Sequence, residues 1–479
     1  MSTTAAPVAR LRALLGHPAV LWTAFVLVHL LVSAQAIFSP RQPLGDVTYV
    51  YPTWVQQGLD GEGWVGIDVP WVYPLLALLP MLLSLVAGVG AVAEVWLVLV
   101  LVLDLAAFAV LRRVAPSAGP AWAWIAFLAL LGPIALIRVD AVTVPVALVG
   151  ALLLLSRPAL AGVVLAIGAW TKVWPAALVL AGALALRERE RERERERVPG
   201  RGRASGSDGS AARSPGVGAS LARLPARWRV LAGAVGTSVV VVAVSLALGS
   251  GATVLGPVTQ QSGRGLQLES PLATLALWRV ALGVPGSRVY FDHEIITYQV
   301  AGDGVALAAR LGTPLMALVV LGVLLLALRA LRAGAGGASL LSPLAMALVV
   351  ALIVTNKVGS PQFVAWLAVP TVLGLVLARR GGPSVALPTA LALAVAALTQ
   401  VVYPENYDAL VTAQPWMVTV ITVRVAVELA LLVVACLTLW RASGGAGRAP
   451  GTGPGQSRGD RTQNSFPSGS ASTTQVSSP

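Results

Sequence analysis

Cysteine and histidine are nearly missing from this chain. A single cysteine, Cys436, stands among 479 residues, which excludes a disulfide within one chain and any cysteine-built metal site. The three histidines, His17, His29 and His293, are scattered, without the spacing of a ligand set, so no metal or cofactor is expected. Charge is also scarce. Asp, Glu, Lys and Arg make up 11% of the residues and 56% are hydrophobic, whereas an ordinary soluble domain carries about 25% charge. A soluble globule is thereby excluded. The charge that remains is mostly basic, +13 net. Its arginines fall in short clusters between apolar runs, with no basic face interleaved with aromatics, so no nucleic-acid partner is expected.

What is present is a series of apolar runs. The first spans about 19–38 and contains Ser33-Ala34-Gln35-Ala36, which resembles a signal-peptidase site. At ~20 residues it is long enough to cross a bilayer and is expected to stay attached. Further runs lie at roughly 72–90, 92–111, 120–137, 141–156, 158–171, 173–186, 229–249, 304–328, 338–356, 361–378, 384–402 and 415–440. The Arg-rich stretch 187–229 must be cytoplasmic, because Lys and Arg collect on that side. If every run crossed, Arg112 and Arg113 would fall outside, so one run does not cross. The run 72–90, interrupted by Pro74 and Pro80, suits an outer interfacial position. Arg10, Arg12, Arg157, Arg329, Arg332, Arg379, Arg380 and Arg441 then all lie inside.

The expected fold is therefore an all-α polytopic membrane protein with about 12 transmembrane helices plus an outer interfacial helix, both termini cytoplasmic. A cytoplasmic N-terminus (1–17) precedes an N-terminal transmembrane module (18–186) with outer loop 39–71. A disordered cytoplasmic Arg/Glu-rich linker (187–228) leads to a C-terminal transmembrane module (229–440) with outer loop 250–302, and a disordered tail (441–479) follows. Within the linker, Arg187 to Arg197 alternate Arg and Glu, setting like charges at i,i+4 and opposite charges at i,i+3, with no clean gain for a helix. The runs 141–156, 158–171 and 173–186 are short: 14 residues of helix span ~21 Å, so local thinning or a buried groove is required.

This topology gathers polar residues on the outer face. The first outer loop holds Asp46, Asp60, Glu62 and Asp68 among Tyr49, Tyr51, Trp54, Trp64, Trp71 and Tyr73. Other outer turns carry Arg138 with Asp140, Lys172 with Trp174, Arg264 in a glycine-flanked stretch, Lys357 with Gln362, and Tyr403 to Asp408. Outer cations oppose the positive-inside trend and need a local reason, such as an anionic ligand; for Lys172 a snorkelling side chain is the alternative. Asp46 suits either a general base that takes a hydroxyl proton or a turn residue after Pro43 and Gly45. Arg138 and Asp140, two residues apart, are expected to pair and fix their turn.

Five stretches carry a family resemblance: GDVTYVYP from Gly45, WVYPLLALLP from Trp71, RVDAVTVPVALVGALLLL from Arg138, AGVVLAIGAWTKVWPAALVL from Ala161 and NKVGSPQFVAWLAVP from Asn356. Together they resemble the GT-C superfamily of multi-span glycosyltransferases. Within it they are most similar to glycosyltransferase family 87, the polyprenyl-phosphate-mannose-dependent alpha-mannosyltransferases. The resemblance implies a GT-C-like fold with a catalytic aspartate in the first outer loop, at Asp46, and an interfacial helix after it. It also implies a basic residue ahead of a span-opening proline, matched by Lys172 and Pro175, and outer cations on the donor phosphate, for which Lys357, Arg138 and Arg264 are the candidates. Tyr49, Tyr51, Trp71, Tyr73, Trp174 and Gln362 would line the substrate path. The implied activity moves a hexose, mannose in the family, from a polyprenyl-phosphate-linked sugar donor to a lipid or glycan acceptor. It would do so at the extracytoplasmic face of a bacterial plasma membrane, with membrane lipid as surroundings and no cofactor. The rival reading is a transporter or flippase of lipid-linked sugars. It draws on the in-span acids Glu94, Asp104 and Glu428 and calls for repeated halves, and no internal repeat is found.

Overall fold

The computed structural model describes Arg10 and residues 13–197, 224–262 and 264–443. The chain is mostly helical. In chain order come α1 (Pro18–Phe38), a π turn (Asp46–Val50) running into α2 (Tyr51–Leu59), α3 (Leu78–Ser84), α4 (Val92–Val114), α5 (Gly119–Leu131), α6 (Asp140–Leu153), α7 (Pro158–Thr171) and α8 (Ala176–Arg197). Then follow α9 (Ala226–Ala247), α10 (Gly256–Ser262), α11 (Thr274–Ala281), a β1–β2 hairpin (Arg288–Asp292, Thr297–Ala301) and α12 (Val305–Arg332). The chain ends with α13 (Gly337–Val354), α14 (Ala368–Ala378), α15 (Ala386–Val402), α16 (Tyr407–Val411) and α17 (Pro415–Ala442). Proline opens α1, α7 and α17, where its missing N–H has no intrahelical partner to lose. His17 caps α1 by accepting from the Ala19 amide at 3.3 Å.

Seven helices are long and apolar enough to cross a membrane: Pro18–Phe38, Val89–Val114, Ala226–Ala247, Val305–Arg332, Gly337–Val354, Pro361–Ala378 and Pro415–Ala442. This is a membrane-embedded helical protein. The spans differ in what surrounds them. Along α13 and the 361–378 helix most residues are buried within the protein, so these form its centre. On α9 the apolar Val235, Val239, Val240 and Val244 are exposed, as are Leu318, Leu321 and Leu325 on α12, surfaces that suit acyl chains rather than water. The segment expected to lie at the interface contains a ten-residue apolar helix, Leu75–Ser84, ~15 Å long and so half the bilayer core.

The in-span acids have separate structural partners. Asp104 on α4 meets His29 on α1, Oδ2 to Nε2, at 2.8 Å, while His29 Nδ1 donates to the Phe25 carbonyl at 2.8 Å. Glu428 lies one helical turn from Arg424 on α17, and Glu94 is exposed.

Two expectations change. The alternating Arg/Glu stretch does not begin a linker at Arg187: α8 continues through Arg197. Arg and Glu are both good helix formers, and a preceding apolar helix removes the nucleation cost. The remainder of the expected linker, from 198 to 223, lies outside the described residues, as does the tail beyond Ser443. The segment 250–302, expected as an outer loop, is also more than a loop. Its hairpin is joined to 265–270 by Leu268 N–Tyr298 O and Val300 N–Leu266 O bonds of 3.0 Å. Leu266, Leu268, Leu277 and Val300 close a small core against Met417 and Ile421 of α17.

Close backbone approach fixes the α7–α9 crossing. A Cβ on Gly162 would stand 2.0 Å from the Val230 carbonyl oxygen, and one on Gly233 would stand 2.2 Å from that of Ala159. Small residues at such crossings let helices in lipid gain dispersion energy. Gly162→Ala or Gly233→Ala must push backbone apart and is expected to lose about 1–3 kcal/mol, the range of overpacking. Gly236→Ala, on the same helix with open space around it, should be neutral or gain up to ~1 kcal/mol from helix propensity. Thermal midpoints of the purified variants check this; equal midpoints for Gly162→Ala and Gly236→Ala would refute the close-crossing account.

Candidate functional site

One cavity of about 660 Å³ collects most of the residues that the sequence singles out. Its wall is drawn from distant segments. Asp46, Trp54 and Tyr73 come from the segment between α1 and α3, Arg138 from the turn before α6, and Lys172 and Trp174 from the turn between α7 and α8. Arg264 and Glu269 enter from the segment 250–302, Lys357, Gln362, Phe363 and Trp366 from the turn after α13, and Tyr403 and Tyr407 from the turn after α15.

Asp46 opens the π turn that runs into α2. Its Oδ2 lies 3.0 Å from Arg138 Nε, and no other hydrogen bond reaches this carboxylate among the described residues. Arg138 spends its remaining donors on neighbouring turns: Nη1 donates to the Pro43 and Ile137 carbonyls at 2.9 and 3.0 Å, Nη2 to the Tyr403 hydroxyl at 3.0 Å. Burial works against the Arg138 charge, but the Asp46 carboxylate and the Tyr403 and Tyr51 phenols outweigh it and raise its pKa. Arg138 thus arrives at the site already engaged.

The expected Arg138–Asp140 pair does not form. Asp140, first residue of α6, turns inward to 1% exposure. Its Oδ2 takes Lys172 Nζ at 3.2 Å and its Oδ1 takes Trp366 Nε1 at 2.6 Å. Lys172 lies 4.7 Å from the centroid of Tyr73 and 5.3 Å from that of Phe363, favourable contacts for a cation. Burial alone would lower the Lys172 pKa; Asp140 and Tyr73 hold it above its ordinary value. Trp174 stacks on Trp366 at 5.5 Å and 11° and donates to Thr143 Oγ1 at 3.0 Å. Lys172 is therefore charged, boxed by rings and tied to a carboxylate.

Arg264 and Lys357 are brought together. Burial lowers the pKa of each, and the Arg264 charge lowers that of Lys357 further. Arg264 Nε is buried without a hydrogen-bond partner among the described residues. Two neighbouring cations in one cavity wall are what an anionic group calls for.

Three predicted lining residues stand elsewhere. Tyr49 is 65% exposed and faces a separate shallow groove with Thr53 and Gln57. Tyr51 is wholly buried, and its hydroxyl accepts from the Val139 amide at 3.1 Å. Trp71 sits behind the wall, edge-on to Trp54 and Tyr73, both at 5.3 Å. Asp46, Val50 and Trp54, four residues apart, face the cavity, while Tyr49 and Tyr51, on either side of Val50, look away. Asp60, Glu62 and Asp68 are also absent from the wall; the Asp68 side chain accepts from the Trp64 amide at 2.8 Å.

Sequence reasoning misses Glu269, Phe363 and Trp366. The last two follow Pro361 three residues apart in a 3-10 turn, which sets them on one face. Glu269 has a signal in Arg424, a cation deep in an apolar span that needs a carboxylate partner. The two meet at 2.7 Å.

Removing one partner of the Lys172–Asp140 pair leaves a buried charge alone. Asp140→Ala is expected to cost about 3–5 kcal/mol, with Lys172→Met/Asp140→Ala recovering a good part of it. Unfolding midpoints of the wild type, both single variants and the double variant form the cycle. A double variant as unstable as the sum of the singles would mean no coupling.

No family model matches the chain, and comparison with curated proteins and with solved structures finds no match.

Proposed function

We propose that the protein is an integral membrane glycosyltransferase of GT-C type, transferring a hexose, mannose first among candidates, from a polyprenyl-phosphate carrier to a lipid or glycan acceptor. The observation that carries this reading is the shared cavity. It joins a carboxylate with an oxygen to spare, Asp46, to two adjacent cations, Arg264 and Lys357, among aromatic rings that suit sugar faces. The acceptor hydroxyl gives its proton to Asp46 as its oxygen bonds to the anomeric carbon. The bond from that carbon to the phosphate oxygen breaks, the electron pair leaves with the polyprenyl phosphate, and configuration inverts. Arg264 and Lys357 stabilise the charge that builds on the departing phosphate. Arg138 holds the base in place, and Lys172, neutralised by Asp140, shapes the wall.

The seven long spans, with the apolar helices Gly119–Ala135, Asp140–Leu153, Pro158–Thr171, Ala176–Arg187 and Ala386–Val402, make twelve crossings. Both termini are then cytoplasmic and the cavity opens on the outer face of a bacterial plasma membrane. The ten-residue helix Leu75–Ser84 lies in the outer interface. A Gly90→Cys probe in a Cys436→Ala background should react with an impermeant maleimide added outside intact cells. Reaction only after the cytoplasmic side is opened would overturn this topology.

The chemistry is tested by transfer of labelled sugar from polyprenyl-phosphate-mannose into lipid by membranes carrying wild type or Asp46→Asn. A general base contributes about 10²–10⁴-fold, and the variant should lose that much at equal protein level. Equal transfer would remove Asp46 from catalysis; no transfer by wild type would remove this donor.

A further inference from the structure

Glu269 lies in the wall of the same cavity at 2% exposure. Its Oε2 accepts from Arg424 Nη1 at 2.7 Å, and its carbonyl oxygen accepts from Nη2 at 3.3 Å. Its Oε1 is buried and has no hydrogen-bond partner among the described residues. A carboxylate oxygen withdrawn from water without a donor carries its desolvation cost uncompensated, so such an atom is rare in a stable structure unless something else completes it. The oxygen is not simply misplaced. Arg424 grips both the side chain and the backbone of Glu269, and Glu428 stands 3.7 Å from Arg424 Nε, so the carboxylate is held by one oxygen while the other is left without a donor.

The surroundings say what donor fits. Tyr407 and Tyr403, which share the cavity wall, are close enough for the Glu269 charge to add to the effect of burial on their phenols. Tyr407 stands edge-on to Tyr403 at 5.6 Å and to Tyr298 at 6.2 Å. A cation is disfavoured in a cavity already lined by Arg138, Lys172, Arg264 and Lys357. An uncharged O–H donor on a ring that can lie against aromatic side chains meets both conditions.

We propose that Glu269 is a sugar-recognition residue, its Oε1 accepting a hydrogen bond from a hydroxyl of a hexose ring seated beside Tyr298 and Tyr407. The inference rests on the glycosyl-transfer reading of the cavity and adds the residue that tells a sugar-bearing ligand from a bare lipid phosphate. The ring belongs either to the donor or to the acceptor, and the two are separable by experiment.

The full chain, purified in nanodiscs, is titrated with polyprenyl-phosphate-mannose and with bare polyprenyl phosphate, and transfer kinetics are measured with octyl α-mannoside as acceptor probe. Glu269→Gln keeps the size of the side chain and an oxygen for Arg424 but turns an N–H₂ group toward the ring. Glu269→Asp keeps the charge and withdraws the oxygen, and serves if the Gln variant does not fold. A lost hydrogen bond to a charged group corresponds to about 10–100-fold. If the donor sugar is read, the preference for the mannose-bearing lipid falls by that factor while affinity for the bare lipid is unchanged. If the acceptor is read, that preference stays and KM for octyl mannoside rises by the same factor, with kcat changed less. Unchanged preference and unchanged KM in both variants would overturn the proposal and leave Glu269 as the anchor of Arg424. Wild type that binds neither lipid would instead overturn the glycosyltransferase reading, and this inference with it.

Discussion

The Arg138 guanidinium, lodged between Asp46, the Pro43 carbonyl and the Tyr403 hydroxyl, joins the segment between α1 and α2 to the turns before α6 and after α15. An arginine at the end of an apolar helix cannot be left dry without partners, because the charged form loses its hydration. The cheapest solution is to collect oxygens from whatever segments pass nearby, and that collection ties these turns together. Further contacts follow from it: Tyr403 also donates to the Pro43 carbonyl at 3.4 Å, Ser39 donates to Glu405, and Arg41 pairs with Asp408. These last two pairs are exposed and contribute little by themselves. The buried guanidinium sets the register they reinforce.

Much of this arrangement is legible in the sequence, and for a physical reason. Lys172 and Lys357 are conspicuous because a charge at the end of an apolar run has no ordinary explanation, Arg264 for its flanking glycines and Asp46 as a carboxylate among aromatics, and all four line one cavity. The pairing is not legible. Arg138 and Asp140 are sequence neighbours and look like partners, yet the chain bends into α6 between them, and each meets a side chain far away in sequence, Asp46 and Lys172. Glu269 is hidden for the same reason. It sits in an ordinary QLESP stretch, and only its meeting with Arg424 from α17 marks it.

The boundaries that sequence reasoning misplaces are those where local propensity and apolar pattern disagree. The Arg/Glu alternation has no apolar face, and so reads as linker, but its residues favour helix and an apolar helix delivers the chain to them already helical. The aromatic residues err the other way. Tyr49, Tyr51 and Trp71 all belong to an aromatic-rich stretch, yet composition cannot say which ring faces the cavity. The helical turn through Val47 and Val55, both buried, decides it.

Three carboxylates in or behind the cavity wall share one construction, and comparison of them separates framework from chemistry. Asp46, Asp140 and Glu269 each give one oxygen to a cation from another segment: Arg138, Lys172 and Arg424. The difference lies in the second oxygen. In Asp140 it is filled by the Trp366 indole, so that carboxylate has nothing left to offer a ligand, and its pair with Lys172 serves to hold the wall. In Asp46 and Glu269 no donor of the described chain takes it. A carboxylate clamped by one oxygen, with no donor on the other, is held in a fixed orientation and keeps an acceptor for a hydroxyl. Asp46, the more exposed of the two, can pass a proton on to water. Glu269, buried beside tyrosines, is suited to hold a hydroxyl in place.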